Sequence, residues 1–276
     1  MSLSSFDIHR LETCEMVAWE DLYKAVPQDV AEEVGIRYLD SEHGFIGIVS
    51  SVDVLAINRV LGLGVRKDAE PDAPIALIQE YERRGVSRFF VPLSPVAQPK
   101  TLASTLERFG LKHYNNWMRL VRPTADPPTT TTSLEVRRIG TEDALSYGRL
   151  VCWNFGWPEF LESWMAAAVG RPNWTHYLAF EKNKPVAGAA MFKKGHCAWL
   201  GFATTDEAFR GRGAQSKLIE MRIRDAADAG CDLVTMETAQ PKLGKPAPSH
   251  SNAGRLGFES LFARPNYIWV RTPSAG

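Results

Sequence analysis

The sequence predicts an α/β protein of the mixed (α+β) type, built as two similar domains in tandem, each a mixed, mostly antiparallel twisted sheet flanked by helices. Three observations predict it. Segments with the two-residue alternation of strands are interleaved with segments of helical spacing. A stretch rich in proline and threonine divides the chain near its middle. Short markers in the first half also recur, in the same order, in the second.

The 276 residues, 45% of them apolar, suffice for a packed core in each half. Between Val121 and Leu134 the chain reads RPTADPPTTTTS, where three prolines and a threonine run favour extended backbone and erase apolar periodicity. The expected division is therefore a first domain over 1–122, a linker over 123–133 and a second domain over 134–276. The recurring markers are specific. Arg83-Arg84-Gly85 runs into an apolar stretch as Asp228-Ala229-Gly230 does, and Arg108-Phe109-Gly110-Leu111 is echoed by Arg255-Leu256-Gly257-Phe258. Leu61-Gly62-Leu63-Gly64 is echoed by Leu200-Gly201-Phe202-Ala203, each pair lying roughly 140 residues apart. Glycine ends helices generally, so the competing explanation is a coincidence of helix stops.

The elements of the second half follow in order. Leu134–Arg138 alternates as a strand, and a helix opens with Thr141 as N-cap and Glu142 and Asp143 in its first turn, running to about Val151. Phe160–Val169 forms a second short helix after Pro158. Tyr177–Glu181 and Pro185–Phe192, split by Lys182-Asn183-Lys184, make a hairpin, and Cys197–Thr204 continues the sheet. A helix from about Gly213 to Ala229 carries Leu218, Ile219, Ile223, Ala226 and Ala227 at helical spacing. A strand over Leu233–Glu237, a short helix over Asn252–Leu256 and strands near Ser260–Phe262 and Tyr267–Val270 complete the half.

Composition excludes some function classes. Lys plus Arg (32) balance Asp plus Glu (32), so there is no overall basic field for nucleic acid or an anionic membrane. The N-terminus carries no apolar run long enough for a signal peptide or a membrane span, and the expected location is the cytoplasm. Cys14, Cys152, Cys197 and Cys231 are scattered, without a CxxC pair or a histidine at metal-ligand spacing. Neither a disulfide framework nor a metal site is expected.

The most chemically pointed stretch is FRGRGAQSKL, residues 209–218. A helix start exposes backbone N–H groups without internal partners and carries the positive end of the helix dipole, so it attracts anions. Gly211 and Gly213 allow a tight bend and let a phosphate approach the amides, while Arg210 and Arg212 can add charge-assisted bonds. A Walker loop would need GK[ST], which is missing, and a dinucleotide fingerprint would need glycine where Ser216 stands.

This loop, following the fourth strand of a mixed sheet and followed by a long helix, a strand and a short helix ending in Gly-Phe, resembles the GNAT superfamily of acyl-CoA-dependent N-acyltransferases. In the family's pyrophosphate motif, Q/R-x-x-G-x-G/A, Arg210 and Gly213 match and Gln215 departs from the sixth position. The resemblance covers nearly all of 134–273. It implies that acetyl-CoA is the cofactor, with its pyrophosphate on Arg210, Gly211, Arg212, Gly213, Ala214 and Gln215. It further implies that Asn252, in SNAGRLGF, touches the pantetheine arm, and that the backbone of Phe202, Ala203 and Thr204 holds the acyl carbonyl and pantetheine. The family's tyrosine general acid would fall on Arg255 or Leu256, so that role is unfilled. Projecting the loop onto the first half lands on Val65–Ala69, which has no glycine and carries Asp68; that copy is expected to be degenerate.

Acetyl transfer to an amine needs a neutral nucleophile, and a lysine-like amine at neutral pH is about 3 pKa units from that state, a cost of about 4 kcal/mol. A base would lower it. The candidates are Glu237, His250 and, as an acid folded back from the last strand, Tyr267. Trp153, Phe155 and Trp157 sit in the connection that lines the acceptor side in this superfamily, and they favour an apolar or aromatic small-molecule amine over a polycation. The alternative is that these aromatics are buried in helix packing. Two further alternatives stay open: a module that binds acyl-CoA without turnover, and transfer of another acyl group or transfer to oxygen.

Overall fold

The computed structural model describes residues 4–41 and 44–272; the ends of the two expected domains, 1–3 and 273–276, and residues 42–43 lie outside them. The chain divides into two compact units. One contains the described residues up to Lys24, Gln28–Trp117 and the described residues from Arg264 onward; the other contains Ala25–Pro27 and Met118–Ala263.

The N-terminal unit begins with α1 (Ser5–Lys24) and α2 (Gln28–Val34), then β1 (Ile36–Ser41), β2 (Gly44–Val49) and β3 (Arg59–Leu61). α3 (Ala73–Arg83), β4 (Arg88–Pro92), α4 (Leu102–Arg108) and β5 (Lys112–Pro123) follow. β1 and β2, and β2 and β3, are antiparallel, whereas β3 and β4 run parallel with α3 between them. Val60, Leu77, Tyr81, Phe89, Leu102 and Leu106 form the core of this unit.

In the C-terminal unit β6 (Glu135–Ile139) leads through a 3₁₀ turn to α5 (Ala144–Phe155) and, after a second 3₁₀ turn, α6 (Glu162–Ala167). β7 (Trp174–Glu181), β8 (Lys184–Lys194) and β9 (Cys197–Thr205) form an antiparallel meander with β6. α7 (Ala214–Asp228) then crosses to β10 (Leu233–Ala239), parallel to β9, and α8 (Pro248–Arg255) and β11 (Glu259–Val270) end the chain. Each unit is thus a largely antiparallel mixed sheet flanked by helices, with its parallel pair bridged by a helix at the same place in the order.

The repeated glycines have one physical cause. Gly85, Gly110, Gly230 and Gly257 all have φ between 77° and 89°, a left-handed conformation that side chains resist. In all four cases the next residue donates its N–H to a carbonyl five positions back: Val86 to Tyr81, Leu111 to Leu106, Cys231 to Ala226 and Phe258 to Ala253. This is the Schellman closure. It turns the chain from helix into strand at two equivalent points of each unit.

Three expectations are corrected. Thr141 does not cap a helix but opens the 3₁₀ turn Thr141–Asp143, and α5 runs on to Phe155, where Gly156 in left-handed conformation stops it. β11 is one strand instead of two, because Pro265, which has no N–H to donate, still accepts from the Leu93 N–H. The third concerns the projected phosphate loop. α3 starts at Ala73, so the counterpart of Gly213 is Asp72 and not the Val65–Ala69 stretch; Glu70-Pro71-Asp72 is equally free of glycine and more acidic. The closing strand of each sheet comes from the other half of the sequence. Asn266–Val270 of β11 pairs antiparallel with β4, and the end of β5 lies beside β10.

Candidate active site

The centre of the C-terminal unit is a fork. β9 and β10 pair only at Cys197–Leu233, Ala198–Val234 and Trp199–Thr235; beyond these, β9 continues to Thr205 and β10 to Ala239 without a further paired residue. Past the fork β9 bulges. Ala190 faces Gly201 and Gly188 faces Thr204, so Phe202 and Ala203 together stand opposite Ala189. Phe202 takes φ 48°, an uncommon value for a side-chain-bearing residue, which turns backbone groups out of the ladder.

β9 leads through a 3₁₀ turn, capped by Asp206 accepting from the Ala208 N–H, into the glycine loop and α7. Gly213 occupies the N-cap of α7 at φ 81°, and no side chain caps the helix. Ala214, Leu218 and Arg222 form the buried stripe that seats α7 on the sheet. The open first turn of α7 thus stands beside the end of the bulged strand. That is a fit for a diphosphate: N–H donors with no partner inside the helix, a positive helix end and no side-chain cap.

The loop residues divide their work. The Arg210 side chain is mostly exposed, 3.6 Å from a still more exposed Glu207. Arg212 is committed elsewhere, donating to Glu181 Oε2 at 2.7 Å and Ser133 Oγ at 3.0 Å. Gly211 has open space where a Cβ would be, but a Cβ on Gly213 would come within 2.5 Å of the Thr131 carbonyl oxygen. Gln215, which departs from the family motif, donates to the Thr204 carbonyl at 2.6 Å and to Thr205 Oγ1 at 2.8 Å. Its amide ties the first helical turn to the end of β9. Asn252 accepts from Ser216 Oγ at 2.9 Å and from Arg255 Nη2 at 3.1 Å through Oδ1, leaving its Nδ2 donors to be used. Arg255, where the family carries a tyrosine, therefore braces the asparagine.

The proton-transfer candidates separate. Glu237 lies on the stretch of β10 past the fork, but its carboxylate is paired with the buried Arg119 at 3.6 Å. His250 on α8 is half-buried, Nε2 lying 3.0 Å from Ser260 Oγ. It borders a cavity of about 280 Å³ between the end of β10 and the start of α8, together with Thr238, Lys242, Lys245 and Ser249. Tyr267 belongs to the other unit, where it is buried in the core and pairs with Val91. It is not part of the unit that holds the loop.

The aromatic side chains also sort themselves. Trp153 is 80% exposed and Phe155 is exposed beside a half-buried Trp157, ring centroids 5.3 Å apart, while Trp164 is fully buried. The segment is thus neither one continuous wall nor wholly packed away. A different cluster flanks the bulge and escaped the sequence reading. Trp199 and Phe202 meet edge-on at 5.5 Å, Trp174 lies 6.5 Å from Phe202, and His176 stacks on Trp174 at 5.4 Å. A side chain at Gly201 would strike the Trp199 indole, so the glycine makes room for it. The signal available was a tryptophan two residues before a glycine in a strand, with Trp174 and His176 alternating two strands away. His176 is buried with Nδ1 unpartnered, and desolvation pushes its pKa down to about 3, so it is neutral at physiological pH.

Comparison with known proteins agrees with this fold. Residues 142–244 match the model of the acetyltransferase (GNAT) family. A GCN5-related N-acetyltransferase from Kribbella flavida is 14% identical, with a TM-score of 0.65 over 97% of both chains. A GCN5-related N-acetyltransferase from Sphaerobacter thermophilus is 13% identical with a TM-score of 0.57, over 94% of this chain and 91% of that one. A tandem GNAT protein from the clavulanic acid biosynthesis pathway, solved without AcCoA, is 17% identical with a TM-score of 0.55, over 78% of this chain and 75% of the other. No curated protein matches the sequence. Residues 142–244 are thus similar to the acetyltransferase (GNAT) family, and the two-unit fold is that of the GNAT structures named here, one of them a tandem GNAT protein.

Proposed function

We propose that this protein transfers an acetyl group from acetyl-CoA to the amine of a small-molecule acceptor. The observation that carries the reading is the fork of β9 and β10 with a bulge past it, next to a helix mouth that no side chain caps. Arg210 and the first-turn amides of Ala214 and Gln215 would hold the pyrophosphate, with Gly211 and Gly213 shaping the loop. Arg212 would contribute through the loop's shape, since its guanidinium is already bound to Glu181 and Ser133. Asn252 Nδ2 would meet the pantetheine arm, and the backbone of Phe202, Ala203 and Thr204 would polarise the acyl carbonyl. Acyl-CoA supplies a thioester whose carbonyl carbon accepts the amine.

In this reading the amine nitrogen bonds to the carbonyl carbon, the carbon–sulfur bond breaks, and the nitrogen's proton passes by way of solvent or a side chain to the departing thiolate. His250 is the better placed of the proton carriers, because it borders a cavity whereas Glu237 is held by Arg119. The aromatic cluster of Trp174, Trp199 and Phe202 beside the bulge supports an apolar or aromatic amine as acceptor. Among the described residues no helix is long and apolar enough to cross a membrane, and no group of metal-binding side chains occurs. A cytoplasmic enzyme with neither nucleic-acid nor membrane partner is the setting proposed. The test is calorimetry of acetyl-CoA binding joined to thiol release with an amine panel. Micromolar binding that Arg210→Ala weakens about tenfold, with turnover on an aryl-alkylamine, is expected. Tight binding without turnover on any amine points instead to a module that only binds acyl-CoA.

A further inference from the structure

Arg222 lies in the middle of α7 and is completely buried. Its Nε donates to the Leu218 carbonyl at 3.0 Å and its Nη1 to the Ala190 carbonyl at 3.3 Å, while Nη2 has no partner. No carboxylate among the described residues pairs with it. The other arginines that are at most 2% exposed each have a carboxylate: Arg59 has Glu15, Arg119 has Glu237, and Arg264 has Glu12 and Glu15. The phenols near Arg222, Tyr147 and Tyr177, are pushed up by burial and stay neutral, so they are no counter-ion. Burial lowers the Arg222 pKa to about 10, which leaves it charged at neutral pH. A desolvated cation without a counter-charge is an arrangement that proteins rarely keep unless its field is used.

Its position says for what. Ala190 faces Gly201, and the register between β8 and β9 breaks immediately beyond that pair, where Phe202 and Ala203 crowd against Ala189. The carbonyl that Arg222 holds is therefore the last one before the bulge. The same helix presents its N-terminus to the proposed diphosphate, with Ala214 and Arg222 on one buried stripe. We propose that Arg222 is a positioning residue for acyl transfer: it fixes the bulge through Ala190 and brings a positive field behind the backbone that receives the thioester carbonyl oxygen. This inference rests on the acyl-CoA reading above. It adds a source of oxyanion stabilisation beyond the backbone N–H groups, acting from inside the protein.

The test uses the full-length protein with Arg222→Met, which keeps an unbranched apolar stem and removes the charge, and Arg222→Lys, which keeps the charge. Acetyl-CoA affinity by calorimetry, kcat and KM with the best amine, and the infrared carbonyl stretch of bound carbonyl-labelled acetyl-CoA are measured. Expected for Arg222→Met are affinity within about threefold of wild type, kcat lower by at least about tenfold, and a carbonyl stretch shifted back toward its value in solution. Arg222→Lys is expected to recover part of both. Should Arg222→Met not fold, Arg222→Gln, which retains a donor for Ala190, is read in the same way. An unchanged kcat and stretch overturn the proposal, and so does a loss confined to acetyl-CoA affinity. If wild type binds without turnover, the carbonyl stretch alone decides. If wild type does not bind acetyl-CoA at all, the acyltransferase reading itself falls, an outcome distinct from a silent Arg222 variant.

Discussion

At the scale of single residues, two glycines of the loop that look equivalent in sequence differ in their surroundings. Gly211 and Gly213 share φ near 80°, but only Gly213 has a neighbour, the Thr131 carbonyl, where a Cβ would go. Gly211→Ala is expected to cost about 1 kcal/mol from backbone strain alone. Gly213→Ala must also displace the Thr129–Ser133 segment; its cost should exceed 2 kcal/mol, roughly, and acetyl-CoA affinity should fall with it. Denaturant midpoints and calorimetry on the two variants check the order. His176 makes a second residue-scale prediction. Its folded pKa is depressed, so the stability it permits is complete above the unfolded value of 6.5 and is lost as pH falls toward about 3. Between about pH 7.5 and about pH 5 the C-terminal unit should lose about 2 kcal/mol through this group. His176→Leu should remove that part of the acid sensitivity, measured as the difference in urea midpoint at the two pH values. Equal sensitivity in both proteins would show that the ring becomes hydrated before it titrates.

At the scale of elements, the segment read as a spacer is a strap. The Thr130 N–H and hydroxyl both donate to Glu220 Oε2, at 2.7 and 2.6 Å, and Thr132 Oγ1 donates to the Arg212 carbonyl at 2.7 Å. Burial pushes the Glu220 carboxyl up, but the bonds from Thr130 and Lys217 outweigh it and hold the group below its usual value. Glu220→Ala should cost about 1–3 kcal/mol by orphaning these donors, and it should loosen the loop, reducing acetyl-CoA affinity while the amine KM stays put. Thermal melts and calorimetry read the two effects. None of this was legible beforehand. Proline and threonine composition reports local stiffness, whereas the strap depends on contacts with α7 some ninety residues away. Helix ends, by contrast, were legible, because the conformation that Gly85, Gly110, Gly230 and Gly257 adopt is a local property of glycine. Gln215 shows the limit of motif reading. As a mismatch it weakens the pattern; as a side chain it is the bond between helix and bulged strand. The aromatic cluster around the bulge was hidden for the same reason as the strap, since Trp174, Trp199 and Phe202 meet only once β7, β8 and β9 are aligned.

At the scale of the whole molecule, the sequence halves and the folded units are not the same sets of residues. The N-terminal unit takes Arg264–Val270 as the strand beside β4, and with it Tyr267 and Trp269 for its core. Arg264 also gives the buried Glu12 and Glu15 their cation, at 3.2 and 2.8 Å. Removing that strand takes the Arg264 cation away from both buried carboxylates, and breaking a buried pair from one side costs about 3–5 kcal/mol. The C-terminal unit in turn takes Met118–Pro123 from β5, and Thr235 Oγ1 and Thr124 bond across it, to the Leu120 and Cys231 carbonyls at 2.9 and 2.6 Å. Cutting at the proline- and threonine-rich segment therefore removes a strand from both sheets, although composition marks that segment as the natural boundary. Fragments 1–122 and 134–276, made separately, should show poorly dispersed amide spectra and no cooperative melt, because each lacks the closing strand of its sheet and exposes an unpaired edge. Made together in one cell they should associate, since both exchanged strands are then present, and bind acetyl-CoA more weakly than the intact chain, because the 123–133 strap on α7 is missing. A well-folded, acetyl-CoA-binding 134–276 fragment would mean that β5 is dispensable to the C-terminal sheet, and that the exchange of closing strands is a late addition to two self-sufficient units.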